Sequence, residues 1–447
     1  MRKESEIVII PGFYSKELDN YRSLHIYLPG SYYLKPDKRY PVLYMHDGQN
    51  LFDPSDALFH KSWNMKETAD RLIQEGKIQE LIIVGIDNNS ERGSEYCHFV
   101  PEGKTEGRRG LRKYEISRKA RGILYEDFIL HSVKPYIDAN FRTLRDRDNT
   151  AMMGSSLGGL VTYLIGFRHP EVFGRLGILS PAFNWADFDI LLRVKKEPLR
   201  LWMDTGEGEA YYVENTRRVV EALLDKGFIP GEDMAYYQVP GAIHNESSWG
   251  GRVGLPLLFL FGNTGRPVSC KLTGRNLIGR KGIEVAVNPI VQYDSGFIMT
   301  DIKGSYTVEN PDILEIKPDG RVIPKDCGTT GVRYEIGGLT DSVSYTVIDE
   351  LSQTVRIELE IEVPGETPQQ EKIFVYAGEF IEAAREGNGK YRCVMTAPRD
   401  WGYHFNIFLG ESHRIELDRD GQPAPGRIYK AAEDMKLQCR VEGWAAR

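Results

Sequence analysis

Two adjacent serines in the stretch NTAMMGSSLGGL (149–160) have the residue type and the setting of a catalytic nucleophile. Residues 154–158 fit the pattern G-x-S-x-G, in which Ser156 holds the central place. The preceding residues are typical of a strand and the following ones of an amphipathic helix, so Ser156 would lie on a sharp strand-to-helix turn. There it would face the partial positive charge of the helix start. We therefore predict that Ser156 is a nucleophile and that Ser155 is a neighbouring packing residue.

A serine hydroxyl is a weak nucleophile until a base removes its proton, so a histidine is required. Of the nine histidines, His244 follows a late strand and opens a helix in YYQVPGAIHNESSWGGR (236–252). His46 ends an early strand and would come too early in chain order. A surface or helix-capping role is the structural alternative for His244. We predict that His244 is the general base.

The acid of a triad should lie between the nucleophile and the histidine in hydrolases with this order of elements. The segment LWMDTGEGEAYY (201–212) offers Asp204, Glu207 and Glu209. Asp204 ends a predicted strand and could equally be a structural carboxylate. Glu209 lies in the loop before a helix, from which it could reach an imidazole. The residues alone leave this choice open.

An ester carbonyl attacked by serine becomes an oxyanion, which needs amide donors. One predicted donor is the N–H of Leu157, directly after the nucleophile. The second is predicted in the loop MHDGQNLFD (45–53), where Gly48 or Gln49 would supply it. This chemistry needs no cofactor, and no spacing of cysteines and histidines predicts a metal site.

The elements that must position these residues alternate between strands and helices over the first 260 or so residues. Short apolar runs that end in turn residues, such as RYPVLYMHDG (39–48) and ELIIVGIDNN (80–89), are typical of strands buried on both faces. The pattern predicts an α/β domain with a mostly parallel sheet. A basic segment between Arg92 and Arg121 is read as a solvated loop or, alternatively, as a pocket rim for anionic substrates.

From about Gly265 onward helical periodicity is almost absent and short strands alternate with turns. The clearest strand is TVRIELEIEVP (354–364), in which apolar residues alternate with charged ones. We predict two β-sandwich domains in tandem. The predicted boundaries are 1–264 for the α/β domain, 265–350 for the first β-sandwich and 351–447 for the second. Because every candidate catalytic residue lies before position 264, the α/β domain is expected to be separable.

Composition excludes several classes of protein. Hydrophobic residues make up 41% and charged residues 27% of 447 residues, which is typical of globular chains. A formal net charge of −7 argues against nucleic-acid binding. No run reaches the roughly 18 apolar residues of a membrane span. The start of the sequence has no secretory signal pattern, and five scattered cysteines suit a reducing compartment, so the predicted location is the cytoplasm.

The first 262 residues resemble the esterase family of α/β-hydrolases that includes feruloyl, acetyl xylan and siderophore esterases. Four segments carry the resemblance: YPVLYMHDGQNLFD (40–53), GIDNNSERGSEY (85–96), GSSLGG (154–159) and HNESSW (244–249). The family commonly places its acid three residues after a glycine, in Gly-Thr-x-Asp/Glu. Gly206 and Glu209 match that spacing, with Glu207 in place of threonine, so the resemblance favours Glu209. It also implies that Trp63, Phe183 and Trp185 line the acyl pocket.

The β-rich remainder resembles two accessory modules. The segment YTVENPDILEIKPDGRVIPKDCGTTGVRYEI (306–336) is similar to bacterial Ig-like domains. Residues 351–447 are similar to starch-binding domains, including a closing Trp444. The tryptophan expected after AGEF (377–380) is missing, and His413 stands where a second is expected. Because sugar rings are held by stacking on the rings of tryptophan side chains, we predict a structural or dimerising role rather than glucan binding.

Together these features predict a serine carboxylester hydrolase that works through an acyl-enzyme and a Ser-His-Glu triad. The expected partner is a small or sugar-linked acyl or feruloyl ester, with no cofactor, nucleic acid or membrane, and with homo-oligomerisation through the β-modules as an option. One alternative is an acyltransferase on the same fold, which product analysis with acceptor alcohols would distinguish. Another is a carbohydrate-binding protein with a vestigial hydrolase domain, which a pull-down on insoluble glucans would reveal.

Overall fold

The N-terminal part of the chain alternates strands with helices, as its sequence predicts. The computed structural model describes residues 4–53, 62–98, 120–209, 211–282, 284–377, 380–424 and 426–446. The strands of this part are β1 Glu6–Ser15, β2 Asn20–Leu28, β3 Val42–His46, β4 Ile82–Ile86, β5 Thr150–Ser155, β6 Arg175–Leu179, β7 Arg200–Gly206 and β8 Met234–Val239. The helices are α1 Met65–Gln74, α2 Arg92–Glu95, α3 Gly122–Phe128, α4 Lys134–Asn140, α5 Leu157–Arg168, α6 Phe188–Leu192, α7 Tyr211–Asp225, α8 Glu246–Arg252 and α9 Gly254–Phe261.

These strands form one sheet in the order β1-β2-β4-β3-β5-β6-β7-β8. The first two strands are antiparallel to their neighbours, and β4, β3, β5, β6, β7 and β8 run parallel. The prediction of an α/β domain with a mostly parallel sheet is therefore confirmed. In such a sheet the carboxyl ends of the parallel strands lie at one edge, where ligands bind. The loops that follow β3, β5, β7 and β8 meet at that edge.

Each face of the sheet is covered by an apolar layer. On one face α3, α5 and α7 pack around residues such as Phe128, Leu160 and Val219. On the other face α1 and α9 pack around residues such as Leu72 and Phe259. The central strands β3, β4 and β5 are buried along their whole length, which is why they read as continuous apolar runs.

The C-terminal part is all β in the described residues. Its strands are β9 Pro267–Thr273, β10 Leu277–Gly282, β11 Asn288–Tyr293, β12 Ile298–Thr300, β13 Ser305–Val308, β14 Leu314–Ile316, β15 Val322–Pro324, β16 Gly328–Ile336, β17 Leu339–Leu351, β18 Thr354–Glu362, β19 Ile373–Tyr376, β20 Phe380–Gly387, β21 Lys390–Pro398, β22 Gly402–Leu409, β23 Arg414–Leu417, β24 Arg427–Lys430, β25 Met435–Arg440 and β26 Gly443–Trp444.

Two separate apolar clusters divide this part. One lies between residues 270 and 347 and the other between 355 and 444. The strands of the second cluster form a sheet in the order β25-β18-β21-β20-β19-β22-β23-β26, with β24 paired to β22. The first cluster lies among three smaller sheets, β10-β17-β16-β13, β12-β11-β9 and β14-β15. The domain boundaries and the sandwich architecture stay predictions.

The all-β part is not independent of the α/β part. Phe297 has no exposed surface and its ring lies 5.8 Å from Trp202 and 5.8 Å from Phe259. The backbone N–H of Gln238 in β8 donates to Thr300 Oγ1 at 3.0 Å. The backbone carbonyl of Gln238 accepts from Asn288 Nδ2 at 2.9 Å. A chain that ends at residue 264 would expose these rings and lose both hydrogen bonds. The structure thus argues against the separability expected from the sequence.

Within the described residues, no helix has both the length and the apolar character needed to cross a membrane. The basic segment that was read as a loop or a pocket rim falls largely at 99–119, which lies outside the described residues.

The shared core leads to a stability prediction. Phe297→Ala removes a fully buried ring between the two parts, so it should lower the free energy of unfolding by about 3–5 kcal/mol. Urea unfolding followed by tryptophan fluorescence measures this loss. Val394→Ala is the matched control because that side chain is 43% exposed in the C-terminal part. Equal stability of the two variants would contradict the shared core.

Candidate active site

Ser156 lies on the turn between β5 and α5 in a backbone conformation that non-glycine residues rarely adopt. Its φ is 59° and its ψ is −122°. Its N–H donates to Leu179 O at 3.0 Å, and its carbonyl accepts from Ala182 N at 2.9 Å, so the neighbouring β6 and its loop hold the turn. A Cβ on Gly154 would lie 2.7 Å from the carbonyl carbon of Gly158, which explains the glycines of the motif. The strain is of the kind found at functional sites.

His244 stands next to this serine. Its Nε2 lies 2.9 Å from Ser156 Oγ, and its Nδ1 lies 3.1 Å from Glu209 Oε2. An ionised carboxylate only accepts, so the contact with Glu209 favours the tautomer with the proton on Nδ1. Nε2 is then free to accept the proton of the Ser156 hydroxyl. The structure brings the predicted nucleophile, base and acid into one line of hydrogen bonds.

Glu209 is the carboxylate of segment 201–212 that reaches the histidine. Its side chain has no exposed surface, and Oε1 accepts from Ser180 Oγ at 2.8 Å and from Gly206 N at 3.0 Å. Burial on its own raises the pKa of Glu209. The hydrogen bond and charge of His244, the charge of Arg252 and the Ser180 hydroxyl outweigh burial, so the pKa is lowered from 4.5. The carboxylate is therefore held in the ionised form that an imidazolium needs.

Asp204, the competing acid, has different partners. Its Oδ1 accepts from Arg252 Nη2 at 2.8 Å, and its Oδ2 accepts from Trp202 Nε1 at 2.8 Å. Arg252 also donates to Ser180 Oγ at 2.8 Å, and that hydroxyl in turn holds Glu209. Asp204 therefore fixes the arginine behind the acid, the structural role that the sequence left open for it.

The predicted oxyanion donors lie at the same sheet edge. β3 and β5 are parallel neighbours with Met45 opposite Met153, so the loop after β3 adjoins the start of α5. The first hydrogen bond of the 3₁₀ helix Gly48–Asn50 is donated by Asn50 to Asp47 O, and the amides of Gly48 and Gln49 precede it. Leu157 is the first residue of α5, where amides have no acceptor within the helix. Their role as oxyanion donors stays a prediction.

Gly48 is a glycine for steric reasons. A Cβ there would lie 2.6 Å from Gly85 C and 2.7 Å from Ile86 N, at the end of β4. The preceding Asp47 has a left-handed backbone and binds Arg92 through two 2.7 Å hydrogen bonds. These contacts fix the course of the loop that carries the candidate donors.

Aromatic side chains surround the imidazole of His244. Tyr212 stacks on it with ring centroids 4.4 Å apart, and Trp249 meets it edge-on at 4.9 Å. Of the three predicted pocket residues, Trp63 is 3% exposed with its ring 5.9 Å from Trp249, and Phe183 has no exposed surface. Trp185 is half-buried. Whether these three line the acyl pocket stays a prediction.

The sequence gives a family match for the part of the chain that holds this site. The profile of the family described as "Putative esterase" matches residues 15–253 of the 447. The chain belongs to this family. It is a carboxylic ester hydrolase with an α/β-hydrolase domain, as predicted, followed by an all-β region that the family match does not reach. The Ig-like and starch-binding-like resemblances of that region stay predictions.

Similar proteins include YbbA of Bacillus subtilis, an uncharacterized protein that is 25% identical over 246 residues, 52% of this chain and 90% of YbbA. The endo-1,4-beta-xylanase/feruloyl esterase of Xylanibacter ruminicola is 29% identical over 222 residues, which are 48% of this chain and 26% of that enzyme. The solved CE1 ferulic acid esterase of Anaeromyces mucronatus is 21% identical, with a TM-score of 0.42, and the match covers 58% of this chain and 91% of that one.

Four residues that hold the candidate site together were not predicted from the sequence: Ser180, Tyr212, Trp249 and Arg252. Three of them lie inside quoted segments: Tyr212 ends the segment 201–212, and the segment 236–252 contains Trp249 and Arg252. The spacing of Trp249 and Arg252 from His244 on a short helix was a usable signal. Ser180 gave no signal, because its role depends on the pairing of β6 with β5 and β7.

The lowered pKa of Glu209 predicts a pH dependence of stability. A carboxyl whose folded-state pKa is depressed contributes stability that is present above its unfolded value of 4.5 and is lost as pH falls through the folded pKa. Relative to Glu209→Gln, the wild-type protein should therefore lose its advantage in unfolding free energy as pH falls below 4.5. Urea unfolding of both proteins at a series of acid pH values measures this. A difference that stays constant over that range would contradict the ionised, hydrogen-bonded carboxylate.

Proposed function

We propose that Ser156, His244 and Glu209 form the catalytic triad of this ester hydrolase. The observation that carries the proposal is the pair of contacts made by one imidazole, 2.9 Å to Ser156 Oγ and 3.1 Å to Glu209 Oε2. Nucleophile, base and orienting acid within hydrogen-bond reach are the geometric signature of nucleophilic catalysis by serine. The strained φ of 59° at Ser156 supports the same assignment.

In the proposed mechanism, Ser156 Oγ attacks the ester carbonyl carbon while His244 Nε2 takes the hydroxyl proton. The carbonyl oxygen becomes an oxyanion that accepts hydrogen bonds from Leu157 N and from the amide of Gly48 or Gln49. When the intermediate collapses, His244 gives its proton to the leaving alcohol and an acyl-serine remains. A water molecule, deprotonated by His244, then attacks the acyl carbon. As this second intermediate collapses, the bond to Ser156 Oγ breaks, His244 returns the proton to that oxygen and the acid is released.

Glu209 orients the imidazole and stabilises the imidazolium formed in each half-reaction. Its burial makes that interaction strong, because a water-free setting screens charge weakly. Its second oxygen is held by Ser180 and by Gly206 N, so the carboxylate is already in position before the reaction starts. Such preorganisation removes the need for reorganisation in the transition state.

The substrates we propose are small or sugar-linked acyl and feruloyl esters. The relative from Xylanibacter ruminicola, whose name includes feruloyl esterase, supports an aryl acid. The half-buried ring of Tyr212 beside His244 is suited to packing on an aromatic acyl group. Steady-state assays on p-nitrophenyl esters of graded acyl length and on methyl ferulate test this class. A preference for aryl over short alkyl acids at equal leaving group supports an aryl acid as the acyl group, and the reverse preference contradicts that part of the proposal.

Ser156→Ala should abolish acyl-enzyme formation and lower kcat on the order of 10⁴-fold or more, leaving what the oxyanion donors achieve alone. Ser155→Ala is the matched control, because that side chain is 4% exposed and lies in β5. It should retain most activity. His244→Ala should lose as much as Ser156→Ala, since nucleophile and base act as one unit. A fluorophosphonate probe that labels Ser155, or labels nothing, would exclude the assignment of Ser156.

Glu209→Gln should also impair turnover, with a kcat loss roughly one to two orders of magnitude smaller than that of Ser156→Ala. Asp204→Asn is the comparison, because Asp204 binds Arg252 rather than the imidazole. It should cost more stability than Glu209→Gln and less kcat. Measurements of kcat at equal folded fraction distinguish the two carboxylates. If Asp204→Asn lowers kcat more, the acid of the triad is Asp204.

A further inference from the structure

Glu207, two residues before the proposed acid, joins three parts of the chain. Its Oε2 accepts a hydrogen bond from Gly241 N at 3.0 Å. The same oxygen forms an ion pair with Lys430 Nζ, also at 3.0 Å. Glu207 belongs to the acid loop, residues 206–209, and Gly241 to the histidine loop, residues 240–245. Lys430 belongs to the C-terminal all-β region. One carboxylate oxygen therefore links both loops of the proposed triad to a strand from the far end of the sequence.

The strand partner of Lys430 makes a second contact with the same two loops. Gly402 in β22 is paired with Lys430 in β24. A Cβ on Gly402 would overlap Ile243 Cγ2, and a Cβ on Gly208 would lie 2.9 Å from Gly402 N. Ile243 directly precedes His244, and Gly208 directly precedes Glu209. This pair of strands, the β22–β24 ladder, thus presents two groups to the loops: the backbone of Gly402, which has no side chain, and the ammonium group of Lys430.

The end of the ladder is itself anchored. Asp400, at the turn before β22, has a left-handed φ of 67° and accepts from Arg275 Nε at 2.6 Å and Nη2 at 2.7 Å. Ala431 N donates to Trp401 O at 3.0 Å, which closes the ladder beyond Lys430. Arg275 lies in the part of the chain that holds the first apolar cluster, and Asp400 lies in the part that holds the second. The surface that meets the acid and histidine loops is therefore braced by both halves of the C-terminal region.

We propose that Lys430 and Gly402 are positioning residues of the esterase site, so that the C-terminal β-region completes the machinery that holds Glu209 and His244 together. The proposal rests on the proposed triad. The two loops touch through Gly208 N, which donates to Ala242 O at 3.0 Å, and through Glu207. Without Lys430, the carboxylate of Glu207 has no cation beside it among the described residues and is drawn to solvent. Gly241 N then loses its acceptor, and one of the two contacts between the loops is lost.

Loop separation matters because the contact of His244 with Glu209 is already 3.1 Å long. A displacement of about 1 Å would carry it past hydrogen-bond range, and a misplacement of that size can cost on the order of 100-fold in rate. The loops carry the reacting groups, so the loss is expected in kcat. KM should stay within about twofold, since the ladder contacts neither Ser156 nor the oxyanion loop in the described contacts.

The first experiment compares Lys430→Gln, Lys430→Arg and Lys372→Gln in the full-length protein. Lys430→Gln should lower kcat roughly tenfold and slow fluorophosphonate labelling of Ser156 by the same factor. Lys430→Arg should restore most of both rates because it keeps a cation for Glu207. Lys372, which pairs with Glu382 at 2.7 Å within the C-terminal region, is the matched control and should leave both rates unchanged. The effect of Lys430→Gln should vanish in a Glu207→Thr background, since the two side chains act as one pair.

The second experiment uses the backbone contact. Gly402→Ala should lower kcat because its methyl group displaces Ile243, while Gly387→Ala, in the same region with open space around it, should not. Melting temperatures and circular dichroism check that both variants are folded. If Gly402→Ala does not fold, the Lys430 series alone decides the matter.

The two proposals fail in different ways. A wild-type protein that hydrolyses no ester and takes no fluorophosphonate would remove the triad itself. An active wild type whose Lys430→Gln variant keeps its kcat and labelling rate would overturn the positioning role and leave the triad standing. A loss that Lys430→Arg does not restore, or that Lys372→Gln shares, would also overturn the positioning role.

Discussion

The buried carboxylate of Glu209 is the constraint on which the rest of the site depends. A charge without exposed surface is costly unless several donors satisfy it. Here His244, Ser180 and Gly206 N supply those donors, and the charge of Arg252 lies close by at 3.9 Å. Each donor comes from a different element of the sheet edge. His244 is one of the donors that satisfy this carboxylate, so the position of its imidazole is tied to that of Glu209.

The arginine behind the acid shows how that requirement extends into the sheet. Arg252 is itself buried and is neutralised by Asp204, whose other oxygen is bound by Trp202. Asp204 is the last residue of β7 that pairs with β6, and it lies two residues before the acid loop begins. A buried polar network of this kind stabilises the fold most when every member is paired, because an unpaired polar group in a low dielectric costs free energy. The sheet, the arginine and the acid therefore form a single electrostatic unit.

The C-terminal region adds a further layer to this unit. Phe297 packs into the apolar layer beneath β7 and β8, and Lys430 and Gly402 meet the loops that follow the same two strands. The all-β region thus contacts both the apolar layer that packs on these strands and the loops that follow them. Glu207 stands at the position where the family resemblance leads us to expect threonine, and it is the side chain that pairs with Lys430. This gives a physical reason for the departure from the family pattern.

The sequence by itself determined the elements and the candidate reacting groups. The apolar runs of β3, β4 and β5, the strand-turn-helix around Ser156 and the loop position of His244 depend on local periodicity and turn chemistry, which neighbouring residues encode. From the residues alone the choice between Asp204 and Glu209 stays open, and the family resemblance favours Glu209. Only the tertiary structure shows that Glu209 contacts His244, that Ser180 donates to Glu209 and that Lys430 pairs with Glu207. These contacts depend on which strands lie side by side and on which residues, separated by up to 223 positions in the chain, share an ion pair or a hydrogen bond. No local pattern carries that information.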